Sequence, residues 1–254
     1  MARRGPRRRR DREMAVPLAD IKGIVPVSML DWDGRLVSTL FLGGCNLSCG
    51  YCHNGDLVKC HQEMPNFSWP KIKRHLQEKR DWLDGCVISG GEPCTNRGLS
   101  ELLSQIKKLG YPIKLDTNGT LPRVLSQLIK DGLIDYVAMD IKANFAKYPL
   151  ITRTPFDAGS LERSLEIISA AVQAGRIEAE FRTTVIPSLI EEAELLEIAQ
   201  QLSDLGAPRY YLQQFNPDCV LEPRLKSVKP YTDEHLSFMA DECSRFVPTA
   251  YRAA

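Results

Sequence analysis

Cys45, Cys49 and Cys52 share one short loop, spaced C-x3-C-x2-C directly after the apolar pair Phe41-Leu42. Thiolates are the protein ligands of iron-sulfur clusters, which ordinarily take four of them. Here the local count stops at three. One iron of a four-iron cluster held by this loop would lack a protein ligand and stand open to a substrate or cofactor. Fully extended, the steps from Cys45 to Cys52 would reach roughly 24 Å. Gly43, Gly44 and Gly50 let the loop curl instead round an object a few Å across. Other chemistries share the spacing. Cys49-Gly50-Tyr51-Cys52-His53 matches the haem-attachment pattern, His53 could complete a zinc site, and Cys49 with Cys52 could be a redox pair or reduced structural thiols. Haem attachment goes with export, and no export signal is visible. Spacing alone favours the cluster and leaves these alternatives open.

The elements that must position this loop follow from hydrophobic periodicity. Asp33-Gly34 reads as a turn between Val27-Ser28-Met29-Leu30 and a strand over 36–42, which delivers the cysteine loop. Ser68 is a candidate helix cap, with Pro70 in the first turn and Ile72 and Leu76 on one face. Short apolar strands then begin at Cys86, Ile113, Tyr136, Phe181 and Tyr210. Between them run helical stripes such as Leu99, Leu102, Leu103, Ile106 and Leu161, Leu165, Ile168, Val172, each stopped by a glycine. Six strands alternating with helices predict parallel βαβ units, two short of a closed eightfold barrel. The expected fold is therefore α/β, a partial, partly open (β/α)6 barrel, with a doubly wound flat sheet as the alternative. After Pro217 a polar tail (217–254) with a last helix near 232–245 is expected to pack across the open side.

In parallel α/β folds working residues collect at the carboxyl ends of strands. Every unusual polar cluster of this chain falls at such an end: the cysteine loop (43–54), Ser89-Gly90-Gly91-Glu92-Pro93, Asp116-Thr117-Asn118-Gly119, Asp140 with Lys142, and Gln213-Gln214. Taken singly, these have turn or surface ion-pair explanations. Together they offer carbonyls of Gly90 and Gly91 to an ammonium group, carboxylates of Asp116 and Asp140 to hydroxyls or a cation, and Lys142 and Arg182 to a carboxylate. That set describes an amino acid joined to a nucleoside.

The cysteine loop, with an aromatic residue before its last Cys, and the Gly90-Gly91-Glu92-Pro93 turn resemble the radical S-adenosylmethionine (SAM) superfamily. Asp116-Thr117-Asn118-Gly119, Met139-Asp140-Ile141-Lys142, Arg182-Thr183-Thr184-Val185-Ile186-Pro187 and Tyr211-Leu212-Gln213-Gln214-Phe215 are similar to the glycyl-radical-enzyme activating proteins. Within these they resemble the activating proteins of anaerobic ribonucleoside-triphosphate reductases, in a longer form like that of the pyruvate formate-lyase activators. The resemblance runs from about Ile21 to the C-terminus. It implies that Cys45, Cys49 and Cys52 hold a 4Fe-4S cluster whose fourth iron is chelated by the methionine end of S-adenosylmethionine. It further implies that Gly90, Gly91 and Glu92 meet the amino group, and that Asp116, Thr117 and Asp140 lie round the methionine and ribose or a monovalent cation. Lys142 and Arg182 would neutralise the carboxylate, and Tyr51 would lie near the adenine. One electron, from a donor such as flavodoxin or ferredoxin, would cleave the sulfonium to a 5′-deoxyadenosyl radical that takes hydrogen from a glycine of a partner enzyme. Two positions depart from the pattern: Cys94 follows Pro93 where a small polar residue is expected, and Phe215 stands near a family histidine. The stretch from Cys52 to Cys86 carries no second cysteine-rich insert. A radical enzyme acting on a small molecule, nucleoside or peptide, and a non-catalytic metal or redox module, are the competing readings.

Composition sets the frame. With 254 residues, 43% of them hydrophobic, the chain can bury a substantial core. Its net charge of +1 hides an asymmetry: residues 1–13 hold seven Arg against Asp11 and Glu13, leaving 26 basic and 30 acidic residues beyond them. The Arg-rich head is expected to be a disordered tail, with Met14 a possible true start and residues 14–254 the folded domain. Nucleic acid binding is not expected of the mildly acidic body. Eight cysteines in so long a chain do not make a disulfide scaffold, and no apolar run approaches 18 residues, so a reducing cytoplasm is expected, without a membrane partner. Cys60, Cys86, Cys94, Cys219 and Cys243 read as structural, buried thiols.

Overall fold

The structure is a computed structural model and describes residues 18–59, 61–155 and 157–253. The Arg-rich head, Met14 and Cys60 lie outside the described residues. Eight strands form one sheet in sequence order. β1 (Ile21–Ser28) runs antiparallel to β2 (Val37–Leu42). From β2 onward each strand is parallel to the next: β3 (Gly85–Gly90), β4 (Ile113–Thr117), β5 (Tyr136–Asp140), β6 (Glu178–Val185), β7 (Tyr210–Gln214) and β8 (Thr249–Arg252). Parallel neighbours need long crossovers, and each crossover here carries a helix. α1 (Gly55–Lys59) and α2 (Trp69–Glu78) follow β2, α3 (Leu99–Lys108) follows β3, and α4 (Pro122–Lys130) follows β4. α5 (Tyr148–Thr152) and α6 (Ala158–Gln173) follow β5, α7 (Glu192–Asp204) follows β6, and α8 (Asp233–Cys243) follows β7.

The helical stripes read from the sequence are the buried faces. Leu102 and Ile106 of α3, Leu125 and Leu128 of α4, Leu165 and Ile168 of α6 and Leu195 and Ile198 of α7 share one core with Leu40, Ile88, Leu115, Val137 and Phe181 of the strands. Alternate strand residues face the other way, where Trp32, Val37, Val87, Tyr136 and Ala138 form a smaller separate core. Beside it the inner face is charged. Lys114 on β4 reaches Glu180 on β6 at 3.3 Å. Arg252 on β8 reaches Asp33, in the loop between β1 and β2, at 2.7 Å. The sheet thus curls into an incomplete barrel whose edge strands, β1 and β8, do not pair, and the Arg252 side chain reaches from β8 to the β1–β2 loop across the seam.

Four details differ from the sequence reading. The first arm of the hairpin is Ile21–Ser28, not 27–30, because pairing runs from Ile21 with Leu42 to Ser28 with Val37. Met29 and Leu30 fall beyond it, 76% and 90% exposed. β6 begins at Glu178, ahead of Phe181, since the charge of Glu180 is met inside the barrel by Lys114 and Arg252. Ser68 sits at the start of α2, but its side chain makes no cap bond. The tail after Pro217 extends the sheet: β8 adds a seventh parallel strand beside β7, and the four residues of β8 carry too short a pattern to announce it. Of the remaining thiols, Cys86, Cys94 and Cys243 are buried as expected and Cys219 is exposed. Among the described residues no helix is long and apolar enough to cross a membrane.

Candidate functional site

The parallel register aligns the carboxyl ends of the strands, with Leu42 opposite Gly90, Thr117 opposite Met139 and Asp140 opposite Arg182. The last residues of these strands and the loops that follow them border a cavity of about 480 Å³, lined among others by Cys45, Cys49, Cys52, Tyr51, Gly90, Gly91, Asp116, Thr117, Asp140, Lys142 and Arg182. Of the twelve residues singled out in the sequence, the fold brings eleven to one space. Glu92 is the exception.

The cysteine loop is fastened at several points. The Gly44 N–H donates to the Leu57 carbonyl at 2.8 Å, and the Ser48 N–H to the Thr152 carbonyl at 3.0 Å. The Cys52 N–H closes a turn on the Cys49 carbonyl at 3.1 Å, and the Gly50 carbonyl accepts from Glu222 N–H at 2.8 Å. Burial pushes all three thiols up, Cys45 to about 12, although the Leu47 N–H beside its sulfur works the other way. Among the described residues no three His, Cys, Asp or Glu side chains gather as a group that could hold a single metal ion. The three sulfurs border a cavity and do not converge on a point. That donor set, three soft ligands round a common space, suits a multi-iron cluster.

Gly90 and Gly91 press on the cysteine loop. Gly90 has φ of 126°, and a Cβ on Gly91 would stand 2.1 Å from the Gly44 carbonyl oxygen and 3.3 Å from the Cys45 Cβ. The Gly90 carbonyl accepts from Asn54 Nδ2 at 2.8 Å. Glu92, expected beside them, has its carboxylate turned away from the cavity. Its Oε1 accepts from the Cys94 N–H at 3.0 Å and the Thr117 hydroxyl at 2.8 Å, and its Oε2 from the Asn118 N–H at 2.6 Å. It ties the turn after β3 to the turn after β4. Burial raises its pKa against the pull of those three donors. Cys94 is packed beside it, 3.7 Å from the Thr117 hydroxyl, and Phe215 is fully buried in the core, so neither departure residue borders the cavity.

Charge is concentrated at the ends of β4, β5 and β6. Arg182 Nε donates to Asp140 Oδ1 at 2.7 Å and Nη1 to Asp116 Oδ1 at 3.4 Å, while Lys142 Nζ donates to Asp140 Oδ2 at 2.8 Å. Burial opposes the charges of Asp140, Lys142 and Arg182, yet Arg182 and Lys142 outweigh it and hold the Asp140 carboxyl well below the usual carboxylate range. For Lys142 likewise, burial is overcome by Asp140, Tyr51 and Cys49, and its pKa stands well above the ordinary value. Its ammonium lies 5.8 Å from the centre of the Tyr51 ring. The space between Asp116 and Asp140, where the sequence suggested a monovalent cation, holds the Arg182 guanidinium.

Sequence reasoning overlooked Lys114, Glu180 and Arg252, and took in Asn54 and Asn118 only as members of the cysteine loop and of the Asp116-Thr117-Asn118-Gly119 cluster, with no role of their own. Lys114 with Asp116, and Glu180 with Arg182, stand two apart within apolar strands. Charges at that spacing fall on one face of a strand, a legible sign of a polar barrel interior. Nothing in the sequence flagged Arg252.

Residues 39–226 match the family described as the Radical SAM superfamily. The chain belongs to the radical SAM superfamily. The family implies a 4Fe-4S cluster and S-adenosylmethionine, and the cysteine-lined cavity is compatible with both. A relative from Methanocaldococcus jannaschii, assigned the name glycyl-radical enzyme activating enzyme, is 31% identical over 89% of this chain and 92% of its own. A Methanothermobacter marburgensis protein, assigned the name GTP 3',8-cyclase, is 32% identical over 52% of this chain and 42% of its own. Among solved structures, a radical SAM methyltransferase from Sphaerobacter thermophilus superimposes with a TM-score of 0.65 at 17% identity, covering 88% of this chain and 67% of that one. This likeness is one of fold. The chain is thus a radical SAM enzyme, on a partial barrel of α/β class.

Proposed function

We propose that this radical SAM enzyme installs a glycyl radical on a partner enzyme, and that the partner is an anaerobic ribonucleoside-triphosphate reductase. The observation that carries the activating role is the likeness to the M. jannaschii protein assigned the name glycyl-radical enzyme activating enzyme, which spans nearly the whole of both chains; the choice of partner rests on the resemblance of the sequence motifs alone. The cyclase relatives support only the shared radical SAM portion, since the match covers less than half of the marburgensis protein.

In this reading Cys45, Cys49 and Cys52 hold the cluster and leave one iron to S-adenosylmethionine. A cluster held there would supply one electron for the reductive cleavage of S-adenosylmethionine bound beside it. The protein's part is to bind and orient. Lys142 and Arg182 hold the methionine carboxylate, and the carbonyls of Gly90 and Gly91 receive the ammonium, with Glu92 acting through the backbone it anchors. Asp116 and Thr117 border the methionine and ribose, Asp140 orients both cations, and Tyr51 lies against the adenine. A monovalent cation beside Asp116 and Asp140 belongs to the same reading and would share both carboxylates with Arg182. The electron comes from a one-electron donor such as flavodoxin or ferredoxin, and the site of action is the cytoplasm.

The test is anaerobic. Protein reconstituted with iron and sulfide, given reductant and S-adenosylmethionine, should release 5′-deoxyadenosine, and Cys49→Ala should not. Mixed with an anaerobic ribonucleoside-triphosphate reductase, the parent should give a glycine-centred doublet in electron paramagnetic resonance. Release of 5′-deoxyadenosine with no doublet from several glycyl-radical enzymes would transfer the reading to a small-molecule substrate.

A further inference from the structure

Asn118 lies in the turn after β4, 5% exposed, on the cavity wall beside the cysteine loop. Its backbone N–H is fixed by Glu92 at 2.6 Å. Its side-chain oxygen accepts from the Thr120 N–H at 3.0 Å and from the Thr120 hydroxyl at 2.6 Å. A backbone N–H can only donate, so this contact decides which way the amide faces. The NH2 group must point to the cysteine loop, where it donates to Asn46 Oδ1 at 2.9 Å and stands 3.9 Å from Cys45 Sγ. Asn46 Nδ2 in turn donates to the Thr120 hydroxyl at 2.7 Å. Three side chains form a closed ring in which each donor meets an acceptor, and the amide hydrogen left over faces sulfur. Cys45 Sγ also accepts from the Leu47 N–H at 3.4 Å.

Hydrogen bonds to ligating sulfurs are one of the levers by which a protein sets the reduction potential of an iron-sulfur cluster. The reduced cluster carries one more negative charge than the oxidised, so an N–H aimed at sulfur stabilises the reduced form more. We propose that Asn118 is a positioning residue that sets the cluster's reduction potential through Cys45, held in place for this by Thr120 and Asn46. The inference rests on the reading of Cys45 as a cluster ligand. It makes the turn after β4, and not only the cysteine loop, part of the electron-accepting apparatus. A second consequence is mechanical: the same ring joins the loop to the barrel at Asn46.

The experiment compares the reconstituted parent with Asn118→Leu, which keeps the size and removes the donor without adding charge, and with Thr120→Val, which removes the hydroxyl that closes the ring and so loosens the amide, while the Thr120 backbone N–H still sets the way it faces. Iron is counted per chain, and the cluster is titrated with dithionite under electron paramagnetic resonance. A parent that binds no four-iron cluster would end the reading of the ligands and leave Asn118 no role. With four irons bound throughout, Asn118→Leu should show about a tenfold lower ratio of reduced to oxidised cluster at a given solution potential, which is 59 mV for a one-electron couple. Thr120→Val should move the same way by less. Two variants that load four irons and titrate on the parental curve would overturn the proposal. Should Asn118→Leu fail to load, Thr120→Val alone decides, with the same two outcomes.

Discussion

Arg252, on the last strand, donates to Asp33, in the loop between the first two strands, at 2.7 Å across the seam of the barrel. The same guanidinium donates to both oxygens of Glu180, at 2.9 and 2.8 Å, and lies over the Tyr211 ring at 3.6 Å. One side chain therefore links β8, β7, β6 and the β1–β2 loop without any strand pairing between the two edges. The fold reaches round its cavity by an ion pair where a closed barrel would use a backbone ladder.

Arg252→Ala leaves the buried carboxylate of Glu180 with Lys114 at 3.3 Å and Arg182 at 3.8 Å as its remaining close cations and frees the seam. Removing one partner of a buried pair costs about 3 kcal/mol or more. Urea unfolding of the purified protein should register a loss of that size. A midpoint within error of the parent would mean that the seam contact is solvated and adds nothing.

Acid should act on the same group. Burial raises the Glu180 carboxyl, but Arg252, Lys114 and Arg182 more than reverse it and bring it down from 4.5 to about 2. The folded state then binds fewer protons than the unfolded chain between those values. The stabilisation is complete above pH 4.5 and is lost as pH falls through 2. Glu180→Gln should be less stable than the parent by about 3 kcal/mol at pH 7. The gap should narrow steadily below pH 4.5. A gap of constant size across that range would show that the carboxylate's charge is not its source.

Gly91→Ala tests the contact between the turn after β3 and the cysteine loop. A Cβ there cannot coexist with the Gly44 carbonyl 2.1 Å away, and backbone on both sides has little room to give. The loop must shift, carrying Cys45 with it. Reconstituted Gly91→Ala should hold clearly fewer than four irons per chain while its far-ultraviolet circular dichroism stays parental. Full iron loading would show that the loop seats itself independently of this turn.

Arg182→Lys keeps the charge and loses the fork that spans Asp116 and Asp140. Losing a charge-assisted hydrogen bond corresponds to about tenfold in affinity. Calorimetric titration with S-adenosylmethionine should show a dissociation constant raised by that factor. Unchanged affinity would confine Arg182 to holding the barrel wall together.

Much of this molecule was fixed by local sequence. The spacing of Cys45, Cys49 and Cys52, the helical stripes from Leu99 to Leu202 and the polar residues after each strand are short-range patterns, and the period of a strand or helix turns them directly into faces. Those faces put eleven of the proposed site residues round one cavity. Tertiary structure alone decided which charges meet. Lys114 finds Glu180 66 residues away, and Arg252 finds Asp33 219 residues away, because the accumulated twist of the sheet, a property of no single segment, brings β4 over β6 and β8 towards the β1–β2 loop. The same holds for Glu92: its carboxylate is as suitable for an ammonium as for backbone N–H groups, and only the placement of Cys94, Thr117 and Asn118 round it turned it from the cavity into the wall.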